Sequence, residues 1–335
     1  MILVTGAGGF VGKAVVSELA RSEIPYRAVT RRPREGCFCI GNIDPATDWT
    51  IALKGVEAVV HLASRAHAAT ENALTENALT GNVANEMIAC SPTAFQSTDV
   101  DATLNLARQA AGAGVRRFVF ISSIKVNGEA TLPGRPFTAA DAPDPQNPYA
   151  QSKFDAERGL FALAAQTGLE VTVIRPPLVY GPGVKANFAT MMEWVNRGFP
   201  LPFGAVNNKR SFVFVDNLAD LIILSAVHPK AGGEVFLVSD DEDISTTELL
   251  RRMARALGRS AWNVPVPAPV LTLAATAFGQ RAVASRLTDS LQVDIQKTRD
   301  LLGWAPRMNV SDGLRQTARS FQRVELALDP IARSA

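Results

Sequence analysis

The chain has 335 residues, 47% of them apolar and 20% charged, and its 34 Lys and Arg against 32 Asp and Glu leave a formal charge of +2. A chain this long and this apolar buries its own cores, which excludes a disordered protein or a mini-protein held by staples. Lys and Arg never run beyond two or three in a row, so neither a nucleic-acid groove nor a polybasic membrane patch is expected. Only one residue separates Cys37 from Cys39, tighter than the roughly two to four of zinc sites. With Cys90 they are read as reduced cytosolic thiols without a metal.

Met1 is followed at once by Ile2–Thr5, a buried-strand pattern with no basic or apolar leader before it. The expectation is a cytoplasmic protein without a signal peptide. Strands are expected at 2–5, 27–30, 58–63, 118–122 and 171–175. Between them, segments 12–22, 97–113 and 149–167 carry apolar residues at three- and four-residue spacing. Strand and helix in alternation make βαβ units, hence an α/β fold: a doubly wound parallel (Rossmann) sheet with ligands at the strands' carboxyl ends.

The first strand runs into Gly6-Ala7-Gly8-Gly9-Phe10-Val11-Gly12. Glycines at positions 6, 9 and 12 permit a tight turn and let backbone N–H groups approach a pyrophosphate at a helix N-terminus. Gly6, Gly9, Phe10, Val11 and Gly12 are therefore candidate dinucleotide-binding residues. The second strand ends at Thr30, followed by Arg31 and Arg32, where an NAD site would place an acid on the ribose 2′-hydroxyl. Cationic donors suit a 2′-phosphate, so NADP(H) is the preferred cofactor, with NAD(H) the alternative. Asn42 and Ile43 would flank the adenine, and Leu62 and Ala63 the pyrophosphate. His61, in an apolar strand, is expected to be a packed core residue. Segment 70–80 repeats Thr-Glu-Asn-Ala-Leu in tandem and reads as a surface insertion near the mouth of the site.

Tyr149 and Lys153 stand one helical turn apart on one face. An ammonium beside a phenol stabilises the phenolate and lowers its pKa from about 10, giving a usable general acid or base. Ser122 and Ser123, at the end of the strand at 118–122, would point at the same cleft. From about residue 181 onward, Pro, Asn and longer loops mark a second, smaller region. The expected division is 1–180 for the dinucleotide and 181–330 for the substrate, interleaved with the first. The longest apolar stretch, 264–278, is interrupted by Pro265, Pro267 and Pro269. It is too short to span a bilayer, which needs about 20 residues. A helix packed on the second region is expected there, with interfacial membrane contact as the alternative.

In this order and spacing the motifs resemble the extended short-chain dehydrogenases/reductases, which include nucleotide-sugar epimerases, dehydratases and ketoreductases. They are the glycine turn, His61-Leu62-Ala63, Ser123 three residues before Val126, Tyr149 with Lys153, Arg175-Pro176, Arg210 and Leu302-Gly303-Trp304. The resemblance makes Ser123, Tyr149 and Lys153 catalytic, with Ser123 also touching substrate, and places Tyr149, Lys153 and Pro176 at the cofactor. It implies a UDP-sugar held by Asn187, Phe203, Arg210, Arg286 and Asp289. It also implies a homodimer built on the helix beginning near Ser97 and the helix carrying Tyr149.

Dehydratases of this family follow the catalytic hydroxyl with an Asp-Glu pair. Here Ile124 and Lys125 stand there, so elimination of water is not expected. The family's usual Tyr after Val126 is Asn127. Combined with the basic end of the second strand, the pattern favours an NADPH-dependent carbon-4 reductase of a UDP-linked 6-deoxy-N-acetylhexosamine for surface-polysaccharide synthesis. The alternative is a UDP-hexose or N-acetylhexosamine 4-epimerase; a non-catalytic NADP(H) sensor is a third reading.

Overall fold

The computed structural model describes residues 1–64, 100–132, 134–277 and 281–328. His67, Cys90, the duplication at 70–80 and the first residues of the helix expected at 97–113 lie outside the described residues. Seven parallel strands form the main sheet in the order β3-β2-β1-β4-β5-β6-β9. They are β1 (Ile2–Thr5), β2 (Tyr26–Thr30), β3 (Phe38–Cys39), β4 (Ala58–His61), β5 (Arg117–Ile121), β6 (Glu170–Arg175) and β9 (Val235–Leu237). This is the doubly wound sheet expected. The chain leaves β1 toward β2 and β3, then returns to lay β4 on β1's other side, so the switch point lies between the carboxyl ends of β1 and β4.

Alternate residues of each strand feed opposite faces. Ile2, Val4, Val60, Val119 and Ile174 enter one core with α1 (Phe10–Arg21) and a later helix, α5 (Val215–Val227). Leu3, Val59, Phe118, Phe120 and Val173 enter the other with α2 (Ala102–Gly112) and α3 (Pro148–Thr167). The start of α3 is set locally: Asn147 Oδ1 accepts from Ala150 N at 2.9 Å, Pro148 opens the first turn, and Gly168, at φ 75°, ends it. That cap fixes where Tyr149 begins.

A third core gathers β7 (Leu178–Tyr180), α4 (Ala186–Asn196), β8 (Phe212–Phe214), α6 (Thr246–Ala256) and α10 (Val310–Leu328). Between α6 and α10 lie α7 (Ala268–Ala277), α8 (Arg281–Thr288) and α9 (Gln296–Leu302). The expectation of a packed helix within 264–278 is met in part. A helix forms from Ala268, with Pro269 in its first turn, and lies against α8, yet Val270 is 53% and Leu273 74% exposed. Among the described residues no helix is long and apolar enough to cross a membrane.

Candidate active site

The glycine turn is shaped by backbone crowding at the switch point. Gly6 has φ +67°, and a Cβ there would lie 2.9 Å from Ala63 N; a Cβ on Gly12 would lie 2.2 Å from Gly6 O and 2.8 Å from Ala7 Cα. Gly9 caps α1 without a side chain. The first-turn N–H groups at Phe10, Val11 and Gly12 are therefore not covered by a capping group, as a pyrophosphate at a helix N-terminus requires. Leu62 N and Ala63 N turn toward Thr5 Oγ1, at 3.2 and 3.4 Å, so β4 ends at His61 rather than running on to 63. Gly12→Ala is expected to lose cofactor binding and destabilise the chain by about 1–3 kcal/mol or more, since the clash is with backbone. Nicotinamide-dinucleotide titration by intrinsic fluorescence, with a thermal melt, checks both effects.

At the carboxyl end of β2, Thr30 Oγ1 donates to Arg32 O at 2.9 Å, curling the chain so that Arg31 and Arg32 are exposed. Arg34 was missed by the sequence reading: its Nη1 lies 3.6 Å from where a Cβ on Gly8 would stand, with Thr30 Cγ2 at 3.8 Å. Thus a guanidinium, not a carboxylate, borders the glycine turn. Asn42 is exposed, while Ile43 is half-buried against the core under α2 and α3.

The proton-transfer candidates converge beyond β5. Ser123 is half-buried and its Oγ accepts from Lys125 N at 3.3 Å. The segment it opens is pinned to β6, because Ser122 N donates to Ile174 O and Ile124 N to Pro176 O, at 2.8 and 3.0 Å. Lys153 is 3% exposed; its Nζ donates to Ile121 O at 3.3 Å and lies 4.8 Å from the Phe120 ring centroid and 6.0 Å from that of Tyr149. Tyr149 itself is half-buried. A cation held at a strand end beside a phenol is the arrangement expected of the spacing.

His61 is the core residue expected. Its Nδ1 shares a 2.8 Å hydrogen bond with Thr5 Oγ1 and its Nε2 a 2.9 Å one with Thr103 Oγ1. Burial, with Lys153 nearby, pushes its pKa down to about 3, so the ring stays neutral and adds no second cation.

One network was not read from the sequence. Arg175, ending β6, makes a double contact with Glu157 of α3, at 3.0 Å from Nε and 2.5 Å from Nη2, with the two side chains 5% and 3% exposed. Its Nη1 donates to Asn127 Oδ1 at 2.9 Å, and Asn127 Nδ2 donates to Thr138 O at 3.0 Å. Asn127, the departure from the family pattern, is thus a buried member of this clamp. The available signal was the spacing: Glu157 continues the Tyr149 and Lys153 stripe by one more turn. Glu129, also missed, pairs with Lys125 at 3.2 Å and accepts from Asn147 Nδ2, tying the turn after Ser123 to the cap of α3.

The residues expected at a nucleotide diphosphate are brought together in part. Arg210 Nη1 donates to Asp289 O at 2.9 Å. Burial pulls the Arg210 pKa down, against Asp289 and Glu129, leaving a poorly hydrated guanidinium suited to a dianionic ligand. The Asp289 carboxylate, expected at a ribose, is engaged by Ser285 Oγ and Thr288 Oγ1. Phe203 is half-buried, whereas Asn187 and Arg286 are exposed on α4 and α8.

A family model described as the NAD dependent epimerase/dehydratase family matches residues 2–91 and 88–239. The chain belongs to that family. This bears out the kinship with extended short-chain dehydrogenases/reductases and the enzyme class it carries. A UDP-glucose 4-epimerase of Vibrio cholerae is 44% identical over 326 residues, 96% of this chain and 95% of its own. Among solved structures, MoeE5 in complex with UDP-glucose and NAD is 26% identical at a TM-score of 0.73, covering 97% of this chain and 99% of its own. The UDP-glucose 4-epimerase of Thermotoga maritima, 23% identical at a TM-score of 0.74 over 97% and 99% of the two chains, shows the shared fold.

Proposed function

We infer that the protein is a 4-epimerase of a UDP-hexose, the alternative that the sequence left open, in place of the net reductase first expected. The observation that carries this reading is the 44% identity to a UDP-glucose 4-epimerase along almost the full length of both chains. The glycine cradle at Gly6, Gly9 and Gly12 fits a dinucleotide pyrophosphate, with Leu62, Ala63 and Pro176 alongside and Lys153 toward the nicotinamide end. Bound NAD would supply reversible oxidation at sugar carbon 4. Tyr149, as phenolate, removes the proton from the carbon-4 hydroxyl and as phenol later returns it, Ser123 orients that oxygen, and the Lys153 ammonium stabilises the phenolate that exists before the first transfer and after the second. Asn187, Phe203, Arg210, Arg286 and Asp289 serve the UDP end, with Arg210 facing the diphosphate. Pairing of α2 and α3 with their copies would complete a dimer.

Epimerisation has no net redox change, which gives a direct test. Incubated with UDP-galactose, the protein should form UDP-glucose to equilibrium without added cofactor and without a change in absorbance of reduced nicotinamide. A second reading, NADPH-dependent reduction of a UDP-4-keto sugar, draws on Thr30 and the arginines at 31, 32 and 34. Stoichiometric NADPH consumption with a 4-keto-6-deoxy substrate, and no conversion of UDP-galactose, would establish it instead.

A further inference from the structure

Two of the four tryptophans, Trp49 and Trp304, are buried; the other two, Trp194 and Trp262, are 38% and 65% exposed. Both exposed rings belong to one seam on the outside of the third core. Phe199 N donates to Trp194 O at 3.1 Å, and two residues on Leu201 forms a bridge with Asn263, its N donating to Trp262 O at 2.9 Å and its O accepting from Val264 N at 2.8 Å. Phe199 and Val264 are themselves 47% and 38% exposed. Scattered singly such side chains need no explanation, but gathered on one seam they mark an interaction surface.

Arginines border the seam. Arg259 Nε donates to Asn196 Oδ1 at 3.5 Å, which seats it at the end of α4, two residues after Trp194. Gln322 Nε2 donates to Leu257 O at 3.1 Å, which brings the later turns of α10 to the end of α6. Arg255, Arg259, Arg319 and Arg323 are all exposed there. The acids of α4, α6 and the first turn of α10, Glu193, Glu248 and Asp312, pair with Arg197, Arg252 and Arg315 instead. Among the described residues no ion pair engages the other four arginines. The packing of α6 on α10 assembles this cluster, so the absence of a Lys or Arg run in the sequence did not disclose it.

A soluble polyanion would be met by the arginines alone, with no use for the rings. A second copy seated face to face would set these cations against their own likeness. Indoles beside unpaired guanidiniums suit a bilayer interface, where the rings lie at headgroup level and the cations meet phosphates. We propose that this patch docks the protein on the surface of an anionic phospholipid bilayer. The helices of the expected dimer, α2 and α3, pack on the main sheet and not on the third core, so docking and dimerisation use different surfaces.

Full-length protein is pelleted with vesicles of phosphatidylcholine alone, or of phosphatidylcholine with about 30 mol% phosphatidylglycerol, at low ionic strength. It should sediment with the anionic vesicles and not with the neutral ones, and about 0.5 M NaCl should release it. Tryptophan emission should shift to the blue on the anionic vesicles as the two exposed indoles leave water. Arg319→Glu with Arg323→Glu should lower the partition coefficient about tenfold or more, and Trp262→Ser about fivefold, with much of the blue shift lost. All three positions are exposed and outside the catalytic and binding residues, so melting temperature and UDP-galactose turnover should be unchanged. No sedimentation with anionic vesicles overturns the proposal, as does equal sedimentation with neutral ones. Trp262→Ser binding as wild type does, while the double variant is released, overturns it in favour of a general polyanion site. A lower sedimentation coefficient of Trp262→Ser in the absence of lipid overturns it in favour of a second copy on this face. Should a variant melt early, the two vesicle compositions with wild-type protein still decide. Pelleting reads nothing of the reaction, so the proposal stands or falls apart from the 4-epimerase reading.

Discussion

Tyr149→Phe lowers kcat for carbon-4 epimerisation by about 10²–10⁴-fold, the usual range for loss of a positioned acid or base. Removing the phenolic oxygen leaves the ring, so α3 and its Asn147 cap are retained, and so is the approach of Lys153 Nζ to the ring. Dinucleotide affinity and the melting temperature should therefore stay near wild-type values, because the change touches neither the glycine cradle on β1 and α1 nor the Lys153 ammonium. Retention of more than about a tenth of wild-type turnover would remove Tyr149 from the proton path. Lys153→Met should behave differently: the buried ammonium bonded to Ile121 O is lost, so weaker cofactor binding accompanies the loss of kcat.

Glu157→Gln is the second large effect, and it acts away from the reacting atoms. The change keeps the shape but removes the charge opposite Arg175, leaving a buried guanidinium bonded only to neutral side-chain acceptors, Asn127 Oδ1 and one amide oxygen at 157. Breaking a buried pair from one side costs about 3–5 kcal/mol, because the surviving charge stays desolvated. A lowered midpoint in urea should report it. The same clamp holds α3 to the end of β6, so kcat should fall even under conditions where the variant remains folded. Arg175→Met with Glu157→Leu removes both charges, and most of the lost stability should return. A double variant no more stable than Glu157→Gln alone would mean that the pair is needed for packing, and not merely to neutralise a charge.

These two predictions separate what the sequence discloses from what it does not. The glycine turn, the Tyr149 and Lys153 spacing and the strand ends are local patterns, and each appears in the structure within a few residues of its expected place. Ranges shifted where tertiary bonds intervene, as at His61, where the next two N–H groups turn to a hydroxyl on another strand. The Arg175, Glu157 and Asn127 clamp joins residues 18 and 48 apart in sequence, so the helical spacing that puts Glu157 on the Tyr149 and Lys153 stripe does not disclose its partners. Arg34 was overlooked for a similar reason. It lies beyond the loop-opening Arg31 and Arg32, and only the fold of that loop brings it to Gly8. The choice between epimerase and reductase was least legible, since one constellation of Ser, Tyr and Lys serves both reactions and the difference lies in whether cofactor is retained.

The position of β9 governs how the chain must be made. Val173, Ile174 and Arg175 pair with Val235, Phe236 and Leu237, so the main sheet is not closed on this side until the intervening residues 176–234 have been laid down. During synthesis the six earlier strands emerge first, with β6 presenting an open edge bearing Val and Ile to the surroundings. Chains at that stage are exposed to strand-to-strand aggregation, the hazard of sheets completed by distant segments. A fragment ending near residue 180 would keep that edge permanently, and its insolubility beside the soluble full chain would be the expected mark of a sheet whose last strand arrives late.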